Sequence, residues 1–316
     1  MSASLPIVIC GESLLDVFQN GTTPNGLHLD AVVGGSPLNV AAGVQRMGGR
    51  AVFLGAVSRD FLGDRILASI EQEGISTEAL VRCDAPTTLS LVGVDAAGVP
   101  SYRFYGHGGA DRQLLPAHLA ALPAQVAAIH FGSYGCVVEP IGSTLRALVE
   151  ARHRDTVISF DPNVRLNVEP SHAVWREHIE WMASRTHLLK LSDEDFERLY
   201  PGENIEALAA RWLGAGVALV MMTRGGEGAF AWTRAARVQV AAPKVTVQDT
   251  VGAGDTFQAA TLIALAEIGR LSPQALADIT PDEVGRVADF AARAAAITCT
   301  RRGPDLPRRA ELRAQI

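Results

Sequence analysis

A chain of 316 residues, 48% of them hydrophobic, is long enough to bury a substantial core in one large α/β domain or in two smaller ones. Its net charge of −6 comes from mixed acidic and basic residues, without the basic stripe that nucleic-acid binding needs. Cys10, Cys83, Cys136 and Cys299 form no CxxC pair and are expected as reduced thiols in a cytosolic protein, and the histidines show no zinc-ligand spacing.

The opening MSASLPIVICGES has no basic region, and its apolar run is too short for a signal peptide. Short apolar runs predict strands at Ile7–Cys10, Val52–Ala56, Ala128–Gly132, Val157–Asp161, His187–Leu191 and Ala218–Thr223. Between them, amphipathic patterns predict helices at Leu38–Met47, Phe61–Glu73, Gly142–Arg152, Val174–Ser184 and Ile205–Leu213. This alternation describes an α/β fold, an open and mostly parallel sheet with helices on both faces and ligands at the carboxyl ends of its strands.

Two segments break the alternation. Residues 17–33 are rich in Gly, Asn and Thr, with weak helical character. Residues 88–105 read as a strand, an Ala-Ala-Gly-Val-Pro turn and a second strand, a hairpin that is either a small lid or an edge of the main sheet. From Leu114 to Val138 no charged residue occurs, but Pro116, Pro123, Gly132 and Gly135 interrupt the stretch. A helix followed by a buried strand fits it better than a membrane span. Arg301, Arg302, Arg308 and Arg309 form a basic cluster that is either a solvated segment or a phosphate attractor.

The strongest local pattern is DTVGAGDTFQAATLIALA, from Asp249. It follows an expected strand at Val245–Val247 and leads into the clearest helix. Gly252, Ala253 and Gly254 place small residues at a helix start, where unpaired N–H groups and the helix dipole favour an anion. Asp255, just after them, could take a proton from a hydroxyl lying against that anion, or could simply suit the first helical turn. A second pattern, GGSPLNVAAGVQRMGG, begins at Gly34. Ser36 reads as an N-cap and Pro37 as the first helical residue, with Asn39 in the first turn. Gly34, Gly35 and Asn39 would suit close approach to adjacent hydroxyls, or would be a tight turn into a buried helix.

Other strings are weaker. Thr223, Gly225 and Gly228 put glycines after a strand end, which admits a phosphate or ribose or is only a turn. Gly226 opens a GxGxxA string, but it leads into the strand-like Ala229–Thr233, against a dinucleotide fold. Arg165, in DPNVR, is a candidate substrate or phosphate contact or a surface ion pair. Ser192 to Asp195 reads as a helix-capping sequence. No P-loop string occurs, and Phe131-Gly132-Ser133-Tyr134-Gly135 lacks the first glycine of a GxSxG hydrolase motif.

Taken in order, these pieces resemble the ribokinase-like (PfkB) carbohydrate kinases, and among them the bacterial fructokinases. GGSPLNVAAGVQRMGG and DTVGAGDTF match the two family signatures. SRDFLGD, PTTLSLV, FYGHGGADR, DPNVR, KLSDEDF and TRGGEGA fall between them in family order. The resemblance implies a single domain, 1–316, with a three-layer α/β/α core and a small β-sheet lid from about 17–33 and 88–107. It implies an ATP-dependent sugar kinase, with Mg2+ and a K+ site near the anion hole, and a cytoplasmic homodimer with no nucleic-acid or membrane partner. By resemblance Asp255 is the general base and Gly252, Ala253 and Gly254 the anion hole. Asp16, Gly34, Gly35, Asn39, Phe104 and Arg165 belong to the sugar. Lys190, Thr223, Gly225 and Gly228 lie on the nucleotide side. Asp249 and the Val251 backbone, with the loop Cys299–Gly303, match the monovalent-cation site.

One departure concerns the divalent metal. Many relatives carry Asn-x-x-Glu where this chain has Ser192-Asp193-Glu194-Asp195, so Asp195 takes the Glu place with Glu194 beside it. A second departure bears on substrate. After Tyr105 the chain reads Gly106-His107-Gly108, without the arginine that relatives use for keto-deoxy sugar acids. Fructose is the leading acceptor, followed by other ketoses or ribose, a 2-keto-3-deoxy acid (Arg103 and Arg112 are close in sequence), or a nucleoside. A non-catalytic sugar sensor would have no need of Asp255.

Overall fold

The structure is a computed structural model that describes residues 5–94 and 100–312. Its strands are β1 (Ile7–Cys10), β2 (Leu14–Thr23), β3 (Gly26–Gly34), β4 (Ala51–Ser58), β5 (Leu80–Cys83), β6 (Leu89–Val94), β7 (Pro100–Tyr105), β8 (Ala128–Gly132), β9 (Val157–Asp161), β10 (Leu188–Ser192), β11 (Leu219–Thr223), β12 (Ala229–Trp232) and β13 (Arg237–Val240). The helices are α1 (Ser36–Arg46), α2 (Phe61–Gln72), α3 (Ile141–Arg152), α4 (His172–Ala183), α5 (Asp193–Leu199), α6 (Ile205–Ala215), α7 (Ala253–Glu267), α8 (Pro273–Ala277) and α9 (Pro281–Cys299).

Among the described residues, nine strands form one sheet in the order β13-β12-β11-β10-β9-β8-β1-β4-β5. From β5 to β11 every pairing is parallel, and β12 and β13 continue it antiparallel. Ile7 and Ile9 of β1 face one core while Val8 and Cys10 face the other. Both faces of the strands are therefore apolar, which is why they read as unbroken apolar runs. Helices α1, α2, α7, α8 and α9 cover the first face, and α3 to α6 cover the second. This is the three-layer α/β/α arrangement expected from the alternation.

The remaining strands form a separate four-stranded sheet, β3-β2-β6-β7. Residues 17–33, read as having weak helical character, are two antiparallel strands. Strands β6 and β7 pair antiparallel as the hairpin pattern required. Of its expected turn, residues 96–100, all but Pro100 lie outside the described residues, as do residues 1–4 of the opening segment, and Pro100 begins β7.

Three local expectations are corrected. Val245–Val247 is not a strand. The chain from 241 to 248 is irregular, with Val245 and Val247 exposed, so the apolar residues lack a core to face. Ser36 is not the N-cap of α1. Gly35 occupies that position at φ 108°, Ser36 is the first helical residue, and Pro37 the second. The helix expected after Leu114 is a 3-10 turn, Pro116–Ala121. Among the described residues, no helix is long and apolar enough to cross a membrane, and all four cysteines are free.

Candidate functional site

The carboxyl ends of β1, β8, β9, β10 and β11 open into one cleft of about 1300 Å3, roofed on one side by the four-stranded sheet. It brings together Asp16, Gly35, Asn39, Phe104, Arg165, Lys190, Glu194, Asp195, Thr223, Gly225, Gly228, Val251, Gly252, Ala253, Gly254 and Asp255. Gly34 backs Asp16, since a Cβ there would strike the Asp16 carboxylate. Asp249 lies just outside, tying the cleft wall to a neighbouring loop.

Asp255 is the third residue of α7 and is buried. Gly252 caps that helix in a left-handed conformation, φ 79°, and a Cβ there would sit 2.8 Å from the Pro304 ring. The Ala253 N–H already donates to the Thr250 carbonyl, at 3.2 Å. The Gly252, Gly254 and Asp255 N–H groups have no hydrogen-bond acceptor among the described residues, and all three residues line the cleft. Helix α7 is buried continuously from Asp255 to Leu265, which fixes the position of its N-terminus.

Both Asp255 oxygens are held from α1. Ser36 Oγ donates to Oδ1 at 2.6 Å, and Asn39 Nδ2 donates to Oδ2 at 2.8 Å. Asn39, expected against the sugar, thus orients the acid while still lining the cleft. Burial pushes the Asp255 carboxyl above its usual range. The Ser36 and Asn39 hydrogen bonds oppose the rise, Asp161 adds to it, and Lys190 lowers it. A carboxylate made more basic by burial, yet oriented by two donors, is suited to accept a proton.

Lys190 is buried in the middle of β10 and paired with Asp161 Oδ2 at 2.7 Å. Its ammonium lies 3.1 Å from where a Cβ of Gly254 would stand, directly beside the α7 N-terminus. Asp161 Oδ1 has no partner among the described residues. In the sequence Asp161 stands at the end of the expected strand Val157–Asp161 and at the start of DPNVR, with no role assigned to it. Its place at the last position of a buried strand was the available sign.

The roofing sheet presents a row set by strand register. Asp16 of β2 stands opposite Ser90 of β6, and Ser90 opposite Phe104 of β7, and all three line the cleft. Burial raises the Asp16 carboxyl, Arg165 offsets this, and Asp255 adds to it. Arg165 turns one guanidinium nitrogen to the Asn163 and Val164 carbonyls, at 3.3 and 3.1 Å. Its charge also favours the ionised forms of Glu12 and Asp195.

Glu12 is a residue that pattern reading missed. It is buried on the cleft floor, where its Oε2 accepts from the Gly135 N–H at 3.3 Å. Burial lifts its carboxyl to about 7, with the Ser133 hydroxyl and Arg165 pulling the other way and Asp111 adding to the rise. Ser133 (φ 58°) and Asn163 (φ 40°) line the same floor in positive-φ conformations, as strained backbone at functional sites does.

On the nucleotide side, Thr223 ends β11 and Gly225–Glu227 forms a 3-10 turn closed by Gly228, φ 93°. The irregular segment bearing Lys244, Val245 and Val247 lines the same cleft. Ser192 caps α5 as expected, accepting from the Asp195 N–H at 3.0 Å. Asp195 is buried while Glu194 is largely exposed, Arg198 lies 3.2 Å from Glu194 and 3.8 Å from Asp195, and both acidic residues line the cleft. Asp249 accepts from the Val251 N–H at 3.1 Å and the Gly303 N–H at 2.8 Å, joining the α7 approach to the loop after α9.

Comparison with known proteins agrees with this geometry. A fructokinase of Rhizobium leguminosarum bv. trifolii is 33% identical over 276 residues, covering 86% of this chain and 83% of its own length. Probable fructokinase-4 of Arabidopsis thaliana is 31% identical over 323 residues, covering 98% and 96%. Among solved structures, the fructokinase with bound ATP from Xylella fastidiosa superimposes with a TM-score of 0.87 at 26% identity, covering 97% and 96% of the two chains. The fructokinase from Vibrio cholerae O395 in its fructose, ADP and calcium ion bound form gives 0.83 at 25%, covering 99% and 98%. Residues 7–310 match the family model described as pfkB family carbohydrate kinase. The chain belongs to that family and is a sugar phosphotransferase.

Proposed function

We propose that this kinase transfers the γ-phosphoryl group of ATP to a hydroxyl of fructose, with Asp255 as the general base. The observation that carries the reading is the Asp255 carboxylate. It is buried at the N-terminus of α7 beside unspent amides and held by two donors, in a cleft that Asp16 and Phe104 share. The sugar lies under the four-stranded lid against Asp16, with Asn39 and the Gly34–Gly35 turn beside it. Asp255 takes the hydroxyl proton as the oxygen attacks phosphorus. The amides at the start of α7 and the Lys190 ammonium balance the charge on the moving phosphoryl group. Thr223, Gly225 and Gly228 hold the nucleotide.

Among the described residues no cluster of three or more His, Cys, Asp or Glu could cage a metal. Single carboxylates at Asp195 and Glu194 fit a magnesium ion that arrives on the ATP phosphates and keeps its waters. That ion would neutralise phosphate charge. Asp249, the Val251 carbonyl and the loop 299–303 offer the oxygen donors a potassium ion takes. Arg165 lines the cleft, where its charge favours the ionised forms of Glu12, Asp16 and Asp195, and it makes no ion pair within 4 Å among the described residues. Arg103 is exposed, and Arg112 faces Asp111. Neither Arg103 nor Arg112 lines the cleft, which favours a neutral sugar over a sugar acid. A cytoplasmic homodimer paired through the lid belongs to the same reading, with Leu27, Leu29 and Val32 of β3 exposed.

The test is ADP release with ATP and Mg2+ across fructose, ribose, 2-keto-3-deoxygluconate, adenosine, fructose 6-phosphate and no acceptor. Release with fructose alone is expected. Release with another member would replace the sugar. Asp255→Asn should fold and bind fructose but lose about a hundredfold or more in kcat. Turnover like that of the unaltered enzyme would overturn the base assignment.

A further inference from the structure

Ser36 sits where a helix start needs nothing from its side chain. Gly35 already holds the cap position, and the Asn39 N–H closes on the Gly35 carbonyl at 2.9 Å. The Ser36 hydroxyl, with one proton to give, gives it to Asp255 Oδ1 at 2.6 Å, a contact between residues 219 apart in the chain. Asn39, one turn further along the same helix face, takes Oδ2. Short donors on both oxygens fix the plane of a carboxylate as well as its position.

The placement of Ser36 is built by its neighbours. A Cβ at Gly35 would stand 2.7 Å from the Glu12 carbonyl oxygen, so α1 begins pressed against the end of β1. Further along, Gly43 lets α1 meet α7, where a Cβ would come within 2.6 Å of the Ala259 methyl. Two close approaches thus bring the first turn of α1 onto the first turn of α7.

We infer that Ser36 is a positioning residue for phosphoryl transfer, holding the Asp255 carboxylate ionised and turned toward the acceptor hydroxyl. This rests on Asp255 being the base. Its surroundings from each neighbouring element are Asn39 on α1, Asp161 on β9, Lys190 on β10 and Asp16 on β2. Two of these are carboxylates that oppose ionisation of Asp255, and the lysine and the two donors support it. Removing the Ser36 donor shifts that balance toward the protonated acid. The acidic limb of the rate profile then moves to higher pH.

The experiment compares Ser36→Ala, Ser36→Thr and Asp255→Asn with the unaltered enzyme, using kcat, KM for ATP and for sugar, the pH profile of kcat/KM, and thermal unfolding. For Ser36→Ala the expected result is a fall in kcat of about tenfold, an unchanged KM for ATP, and an acidic limb moved upward. Ser36→Thr, which keeps the hydroxyl, should restore both. If Asp255→Asn is inactive but Ser36→Ala keeps both kcat and limb, the inference falls while the base reading stands. If Asp255→Asn retains turnover, the base reading falls and Ser36 with it. A loss of kcat in Ser36→Ala with an unmoved limb, left uncorrected by threonine, would show a structural contact only and overturn the inference.

Discussion

Glu12 carries a consequence that can be measured without substrate. Its carboxyl is lifted from the ordinary value of 4.5 to about 7 by burial in the cleft floor. In the folded chain it keeps its proton across that interval, while in the unfolded chain it ionises. Between pH of about 4.5 and about 7 the folded state therefore binds more protons, so stability from this group is fully present below that interval and is lost as pH rises through it. Glu12→Gln has no proton to lose. The difference in Tm between Glu12→Gln and the unaltered enzyme should move in favour of the variant as pH rises through this interval, then level off. A difference that stays constant with pH would mean that Glu12 is not held protonated. The residue stands near the end of the opening MSASLPIVICGES, where nothing in the pattern marks its burial. Nothing in a local pattern says that the loop after β8 folds over the end of β1 to bring Gly135 onto it.

At the scale of elements, the parallel strands and the helices between them were legible because both sheet faces are covered, and an apolar run of strand length then has one reading. The two glycine-rich turns that line the cleft were legible for a related reason, since glycine at a helix start has few uses. The sheet over the cleft was harder to read. Residues 19–32 are exposed on both strands of its outer hairpin, so the period-two signal that marks a half-buried strand is missing there. Ser36 was misread because its fitness as an N-cap is a local property, whereas its partner lies on another helix. That pairing depends on how closely α1 and α7 approach, and Gly43 controls the distance. A methyl there would stand 2.6 Å from Ala259 and 2.7 Å from Leu306, both side-chain carbons in a filled core. Gly43→Ala should cost about 1–3 kcal/mol of stability by overpacking. It should also lower kcat at temperatures where the variant is fully folded, because Ser36 and Asn39 ride on the displaced helix. Thermal unfolding and kcat measured together separate the effects. Lost stability with full kcat would mean that the helices part without moving the clamp on Asp255.

For the whole molecule, the question is how a sheet that among the described residues shares no hydrogen-bonded strand pairing with the core is fastened to it. One connection lies at the root of β6. The Thr88 hydroxyl bonds the Asp111 carboxylate, whose other oxygen accepts from the Tyr134 hydroxyl at 3.0 Å, and the Phe104 ring of β7 meets Tyr134 edge-on at 5.8 Å. Tyr134 itself is fully buried in the core formed with α3 and the sheet. Asp111 is raised by burial, with Thr88 and Tyr134 both lowering it, so deleting one donor leaves a buried carboxyl poorly satisfied. Tyr134→Phe keeps the ring and its edge contact but removes that donor. On the proposed reading the sugar lies beneath the loosened sheet and the nucleotide does not, so KM for fructose should rise by about three- to tenfold while KM for ATP holds. A roof that closes less firmly also admits water to the phosphoryl group, so ADP release without sugar should increase. An unchanged sugar KM together with unchanged sugar-free hydrolysis would mean that the sheet is held by its other contacts and that this hydrogen-bonded link does not govern closure.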